Sequence, residues 1–323
     1  MSRNNESFSR GYSRMNNISI IIPTYNAQKY LSKLLNKLQE QTIQDYELII
    51  VDSSSKDCTQ EIAKRYTDSV VVIPQSEFDH GGTRAKAAQM AQGEIVIFLT
   101  QDVLPYNETT LEKIVEVFED SKVGAAYGRQ LSYEDTNFFG KHLRFFNYTE
   151  RSYVRVYEDI NKFGIKTAFL SDSFAAYRKN ALESINWFKD GLILGEDTYA
   201  GAKMILSGYS LAYVADAKVY HSHSYAILQE FRRYFDIGVF HKCESWILES
   251  FGKAEGEGMK YIKSEIKYLL STGSWYLIPE FFVRNGMKYL GYKLGKTYEK
   301  LPQWMVKKLS MHHRWWDKFG KDI

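Results

Sequence analysis

Ile18–Ile22 is a short β-branched run closed by Pro23, the composition of a buried strand. From Ala27 to Gln41 the apolar residues Tyr30, Leu31, Leu34, Leu35 and Leu38 recur at i, i+3, i+4, which predicts a helix. The alternation continues. Leu48–Val51 predicts a second strand ending in Asp52-Ser53-Ser54-Ser55, and a helix follows from Asp57 through Ile62 and Tyr66. Val70–Ile73 predicts a third strand, Thr83–Ala91 a helix opened by Gly81-Gly82, and Ile95–Leu99 a fourth strand ending at Thr100-Gln101-Asp102. Strand–helix alternation at this spacing means βαβ units, hence an α/β fold with a mostly parallel sheet. Ligands of such sheets bind beyond the carboxyl ends of the strands. That edge here carries Thr24-Tyr25-Asn26, Asp52–Ser55 and Thr100-Gln101-Asp102.

Further along, Tyr199–Leu206 predicts a helix and Leu211–Tyr220 a strand. The aromatic stretch Phe138–Tyr157 has helical spacing and is expected in the core, with an acceptor wall as the alternative. Tyr261–Leu270, Trp275–Leu294 and Leu301–Leu309 predict amphipathic helices separated by Gly and Pro signals. Met1–Asn17 is rich in Ser, Asn and Arg and lacks an apolar core, so a flexible tail is expected instead of a secretory signal. The resulting organisation is a tail (1–17), an α/β domain (18–250, halves 18–130 and 131–250) and a helical region (251–323).

Composition adds exclusions. The chain has 323 residues, 44% hydrophobic and 25% charged, which rules out wholesale disorder. Lys+Arg 42 against Asp+Glu 39 leaves a net +3, too balanced for a nucleic-acid partner. The charge is unevenly placed: residues 251–323 hold 14 basic and 7 acidic side chains, the remainder 28 and 32. Two cysteines, Cys58 and Cys243, make neither a disulfide framework nor a zinc site, and a cytoplasmic setting fits. No run of about 18 apolar residues occurs, so a spanning helix is not expected. GxGxxG, GxxxxGK[ST] and GxSxG are all absent, which argues against a dinucleotide fold, a P-loop and a serine hydrolase. An acidic and hydroxylic strand edge suits a metal-bound nucleotide instead.

Four segments then carry a resemblance: Ile-Ile-Ile-Pro-Thr-Tyr-Asn (20–26), Glu-Leu-Ile-Ile-Val-Asp-Ser-Ser-Ser (47–55), Gly-Glu-Ile-Val-Ile-Phe-Leu-Thr-Gln-Asp (93–102) and Gly-Glu-Asp (195–197). In this order the chain resembles the family 2 glycosyltransferases over about Ile18–His241, which implies a GT-A nucleotide-sugar-binding fold. Phe78–Arg84, the Thr-Gln-Asp form of the metal motif and Arg232-Arg233-Tyr234-Phe235-Asp236-Ile237-Gly238 are similar to one branch, bacterial rhamnosyltransferases of surface-polysaccharide assembly.

The resemblance implies roles. Thr24, Tyr25 and Asn26 would line the nucleoside pocket with Ser54, Thr100 and Gln101 beside them. Asp52 would accept the imide N–H of uracil or thymine; the alternative is a strand-end turn cap. Arg84 would face the base or diphosphate, or else lie on the surface. Asp102 would bind a divalent cation, Mg²⁺ or Mn²⁺, although the family's usual first Asp is replaced by Thr100. His221 matches a third-ligand position, with His223 the less favoured choice. Asp197 would be the base of an inverting transfer, the alternative being a helix cap, with Glu196, Asp172 and Ser173 on the acceptor side.

The expected partners are a nucleotide sugar, dTDP-rhamnose in this branch, and a glycan or polyprenyl-diphosphate-linked glycan. A UDP-hexose donor and a non-catalytic glycan-binding subunit are the alternatives. Met311–Phe319 pairs tryptophans with basic residues, a composition that suits the inner face of a membrane; a helical cover of the acceptor half or a homo-oligomer contact is the other reading.

Overall fold

The computed structural model describes residues 17–252 and 254–320, so the expected tail lies, except for Asn17, outside the described residues. Nine strands form one sheet: β1 (Ile18–Thr24), β2 (Tyr46–Asp52), β3 (Val70–Val72), β4 (Ile95–Leu99), β5 (Leu104–Pro105), β6 (Val123–Leu131), β7 (Tyr153–Arg155), β8 (Phe174–Arg178) and β9 (Ser210–Tyr220). Their order is β3-β2-β1-β4-β8-β6-β9-β5, with β7 also on β9.

The first four strands pair in parallel, as expected, with Ile20 opposite Leu48 and Thr24 opposite Asp52. Their carboxyl ends therefore meet at one edge. Beyond β4 the sheet becomes mixed: β8 runs against both β4 and β6, while β6 and β9 are parallel. The 132–173 excursion delivers β8 from the opposite end, and an antiparallel neighbour needs no crossover helix.

Both sheet faces are covered, so the strands are apolar throughout instead of alternating. Ile20, Ile22, Ile97 and Leu99 pack with Leu31, Leu34 and Leu35 on one face. Ile21, Val96 and Phe98 join the other core with Tyr127, Tyr177 and Phe188. The predicted helix at 83–91 begins earlier, at His80, because Asp79 caps it by accepting the Gly82 N–H at 2.6 Å. A side chain at Gly81 would place its Cβ 1.8 Å from the Lys189 carbonyl oxygen, so the first turn of this helix can lie directly on the 189–190 backbone. The aromatic stretch is divided: Phe139 and Tyr148 are buried, whereas Phe145 and Tyr157 are exposed.

The C-terminal region clasps the sheet domain. Helix Ile278–Gly295 lies along helix Ile227–Cys243 at a close approach made by glycines. A Cβ at Gly238 would fall 2.3 Å from the Tyr292 carbonyl oxygen, and one at Gly295 2.0 Å from that of Phe235. Buried Arg284 and Lys288 reach across to Glu230 at 3.0 and 3.5 Å. The final helix, His313–Lys318, corrects one expectation. Trp315 and Trp316 are only 9% and 2% exposed and belong to the main core, so this pair covers the sheet domain and is not available to a membrane. Among the described residues no helix is long and apolar enough to cross one.

Candidate active site

Asp102 follows β4, and the exit of β9 brings His221 and His223 to it. His221 Nε2 lies 3.5 Å and His223 Nε2 3.8 Å from Asp102 Oδ2. The three ligand atoms lie within 4.8 Å of one another. His221 is buried and its Nδ1 contacts Gln130 Oε1 at 2.9 Å. That oxygen also accepts from Arg144 Nη1 at 2.6 Å, and Gln130 Nε2 donates to Ser171 Oγ at 2.9 Å. Gln130 therefore presents an acceptor, His221 carries its proton on Nδ1, and the Nε2 lone pair points at a carboxylate. Burial lowers the pKa of His221, and burial together with His221 takes His223 down to about 4. Burial alone would raise Asp102; only when His221 takes up a second proton on Nε2 do its hydrogen bond and charge pull the carboxyl well below its usual range. Two neutral imidazoles and a carboxylate converging lone pair on lone pair are a donor set that fits a divalent cation. Gln130 supplies the outer hydrogen bond that orients such a ligand.

A second cluster is formed by Asp172, just before β8, and the Gly195-Glu196-Asp197 turn. Gly195 sits at φ +81°, where a Cβ would press within 2.9 Å of the Phe240 ring. Helix Glu196–Leu206 starts there. Arg84, from helix His80–Met90, places Nη1 2.9 Å from Glu196 Oε1 and Nε 3.3 Å from Asp172 Oδ2. Arg84 is thus buried instead of lying on the surface, and it is the counter-ion of these carboxylates while also lining the strand-edge cavity. Asp172 also accepts from the Tyr177 hydroxyl at 2.5 Å, and its N–H points to Asp197 Oδ2 at 3.4 Å. Asp197 Oδ1 accepts from the Thr198 N–H at 2.6 Å. Glu196 is held low because the charges of Arg84 and His80 overcome its burial. Asp172 and Asp197 move up, by burial first and then by their carboxylate neighbours.

The strand edge forms a larger cavity of about 930 Å³, and the carboxylates and Asp102 line one of about 610 Å³. His80, Arg84, Thr100 and His312 line both. Thr24, Tyr25, Thr100 and Gln101 face the larger cavity, and Thr100 Oγ1 is buried with no hydrogen-bond partner. Gln101 ties the ends of β1 and β4 together, accepting the Tyr25 N–H at 2.8 Å. Asn26 and Ser54 adopt positive φ, 48° and 57°. They hold the turns: the Asn26 N–H donates to Ser55 Oγ at 2.8 Å and Ser54 Oγ to the Ile73 carbonyl at 2.8 Å. Asp52 is fully buried and saturated. Ser55 N–H and Gln60 Nε2 donate to Oδ1, both at 2.8 Å, and Thr24 Oγ1 and Ser55 Oγ donate to Oδ2 at 3.0 and 2.5 Å. A carboxylate has about four lone-pair sites, so Asp52 closes its turn and offers no site to a base imide in this arrangement. Ser173 lines the smaller cavity. The residues that sequence reasoning missed are His80, Gln130, Tyr177 and His312; a polar residue at the end of a strand, Gln130, carried the readable signal.

The strand edge thus has one cluster that could hold a cation and one carboxylate cluster either side of a shared wall. Residues 19–185 match Glycosyl transferase family 2, and the chain belongs to this family and is a glycosyltransferase. It is 45% identical over 305 residues to the O-antigen chain rhamnosyltransferase WbaN of Salmonella anatum, covering 94% of this chain and 96% of the relative. It is 43% identical over 302 residues to RfbN of Salmonella typhimurium, also an O-antigen chain rhamnosyltransferase, covering 93% and 96%. In fold it resembles the mannosyltransferase PcManGT from Pyrobaculum calidifontis in complex with GDP-Man and Mn²⁺, with a TM-score of 0.62 at 17% identity over 89% of each chain.

Proposed function

We propose that this glycosyltransferase moves L-rhamnose from dTDP-β-L-rhamnose to a hydroxyl of a growing cell-surface glycan carried on polyprenyl diphosphate, with inversion to an α linkage. The observation that carries the sugar assignment is the 45% identity to an O-antigen chain rhamnosyltransferase over nearly the whole of both chains.

In this reading the donor lies in the larger cavity, against Tyr25 and Thr100, and its anomeric carbon points toward the carboxylates. The acceptor hydroxyl enters the smaller cavity, where Asp197 removes its proton as the oxygen attacks. The C–O bond to the diphosphate breaks as the new glycosidic bond forms. Arg84 keeps Glu196 ionised, and burial together with the Glu196 charge raises the proton affinity of Asp197, as a base near neutral pH requires. Asp102, His221 and His223 would hold a divalent cation, which supplies charge neutralisation at the leaving diphosphate. Mn²⁺ is favoured over Mg²⁺ because Mg²⁺ takes oxygen ligands almost throughout. The enzyme would work at the inner face of the membrane, where Trp275, Tyr276, Phe282, Val283, Tyr289 and Leu290 form an exposed apolar stripe near basic Lys293 and Lys296.

The test is a donor panel: release of nucleotide and calorimetric binding with Mn²⁺, for dTDP-rhamnose, UDP-glucose, UDP-galactose and UDP-N-acetylglucosamine. Response to dTDP-rhamnose alone is expected. A preference for any UDP sugar overturns the rhamnosyl assignment while leaving the mechanism.

A further inference from the structure

The family match ends at residue 185, yet one wall of the larger cavity comes from far beyond it. Met311, His312, Arg314, Lys318 and Phe319 face Thr24, Tyr25 and Gln101 across that cavity. This segment is anchored from three sides. Asp236 Oδ2 accepts the N–H groups of Met311 and His312 at 2.9 and 3.1 Å. Trp315 Nε1 donates to the Gly191 carbonyl at 3.0 Å. Trp316 packs in the core against Phe235 and Tyr298. The Arg232–Gly238 motif thereby acquires a purpose, because its Asp236 is the buried carboxylate that holds the turn.

Charge on the cavity wall is specific. Arg84 is committed to Asp172 and Glu196, Asp317 is paired with Lys307, Asp79 accepts the Gly82 and Gly191 N–H groups, and Lys318 keeps its charge while its Nζ donates to the Glu77 carbonyl at 3.3 Å. Arg314 is exposed and, among the described residues, has no carboxylate within ion-pair distance. The opposite wall is neutral, being Thr24, Tyr25, Thr100 and Gln101, and the cation-binding cluster holds a single carboxylate. A ligand with two phosphates would find one uncommitted guanidinium here, and a planar guanidinium suits phosphate oxygens in bidentate fashion.

We propose that the C-terminal segment 311–319 is a fixed wall of the donor site and that Arg314 pairs with the diphosphate of the nucleotide-sugar donor. This rests on the donor reading given above. The experiment is calorimetric titration of the full chain with dTDP and with UDP in the presence of Mn²⁺, comparing wild type, Arg314→Ala, Arg314→Lys and Lys308→Ala. Lys308 is exposed on the same region but does not line the cavity. Arg314→Ala is expected to bind the nucleoside diphosphate about tenfold more weakly, in line with loss of a charge-assisted bidentate contact. Arg314→Lys should recover part of that loss, and Lys308→Ala should bind as wild type does. Unchanged affinity in Arg314→Ala, with wild type binding, overturns this proposal alone; so does an equal loss in Lys308→Ala, which would mark a diffuse charge effect. If wild type binds neither dTDP nor UDP, the donor reading falls and this one falls with it.

Discussion

Arg84 stands between three carboxylates with a single positive charge, and the division of that charge decides the chemistry. It lies 2.9 Å from Glu196 and 3.3 Å from Asp172, while Asp197, bonded only to the N–H groups of Asp172 and Thr198 and the Thr198 hydroxyl, is raised, as Asp172 also is, by burial and neighbouring carboxylates. The base must be ionised to work. Activity should therefore be complete above the pKa of Asp197 and decline as pH falls through it, at a higher pH than an ordinary aspartate would give. A pH profile of kcat/KM checks this, and an acid limb at or below about pH 4 would contradict it. Asp197→Asn should lower kcat by about 10²–10⁴-fold while calorimetry still finds donor binding. At the cation cluster, Gln130→Leu removes the acceptor that fixes the proton on Nδ1 of His221. Mn²⁺ affinity, measured by titration, should fall about 10–100-fold with Asp102 and both histidines still present.

Helices and strands succeed or fail here through how closely they approach. Gly238, Gly291 and Gly295 let helix Ile227–Cys243 and helix Ile278–Gly295 touch backbone to backbone, whereas Gly286 on the outer side of the second helix has nothing within 4 Å of its Cβ position. Gly238→Ala must push the helices apart and should cost about 1–3 kcal/mol. Gly286→Ala removes only the conformational freedom of a mid-helix glycine and should stabilise by up to about 1 kcal/mol. Thermal melts of the two variants should shift in opposite directions; a parallel shift would show that the helix contact does not govern stability. The strands of the donor half were legible because each is an apolar run ending in a polar cluster. The mixed direction of β8 was not, since its Phe-Ala-Ala-Tyr-Arg sequence suits either orientation and pairing is a long-range choice.

Across the whole molecule, basic charge and exposed aromatic surface share the C-terminal region, but not on the residues where the sequence concentrates them. The Trp315–Trp316 pair turns inward, and the outward stripe runs from Trp275 to Leu290. If that stripe meets the bilayer, Phe282→Glu with Tyr289→Glu should abolish co-flotation with vesicles containing anionic lipid, without altering donor binding. Retained flotation would assign the stripe to another partner, and a change from dimer to monomer in the same variant would identify a second copy as that partner.

Local patterning determined what depends on adjacent residues: the βαβ order, the polar strand ends, Asp102, and the Glu196-Asp197 pair at a helix start. These follow from periodicity and turn chemistry, which act over a few residues. Tertiary structure alone decided which side chains meet across many residues. It gave Arg84 to the carboxylates and His223 to Asp102, and folded the segment 311–319 over the strand-edge cavity. The physical reason is that hydrogen-bond and charge partners are chosen by proximity in the packed chain, and a linear pattern carries the chemistry of a residue but not the identity of the group that will satisfy it.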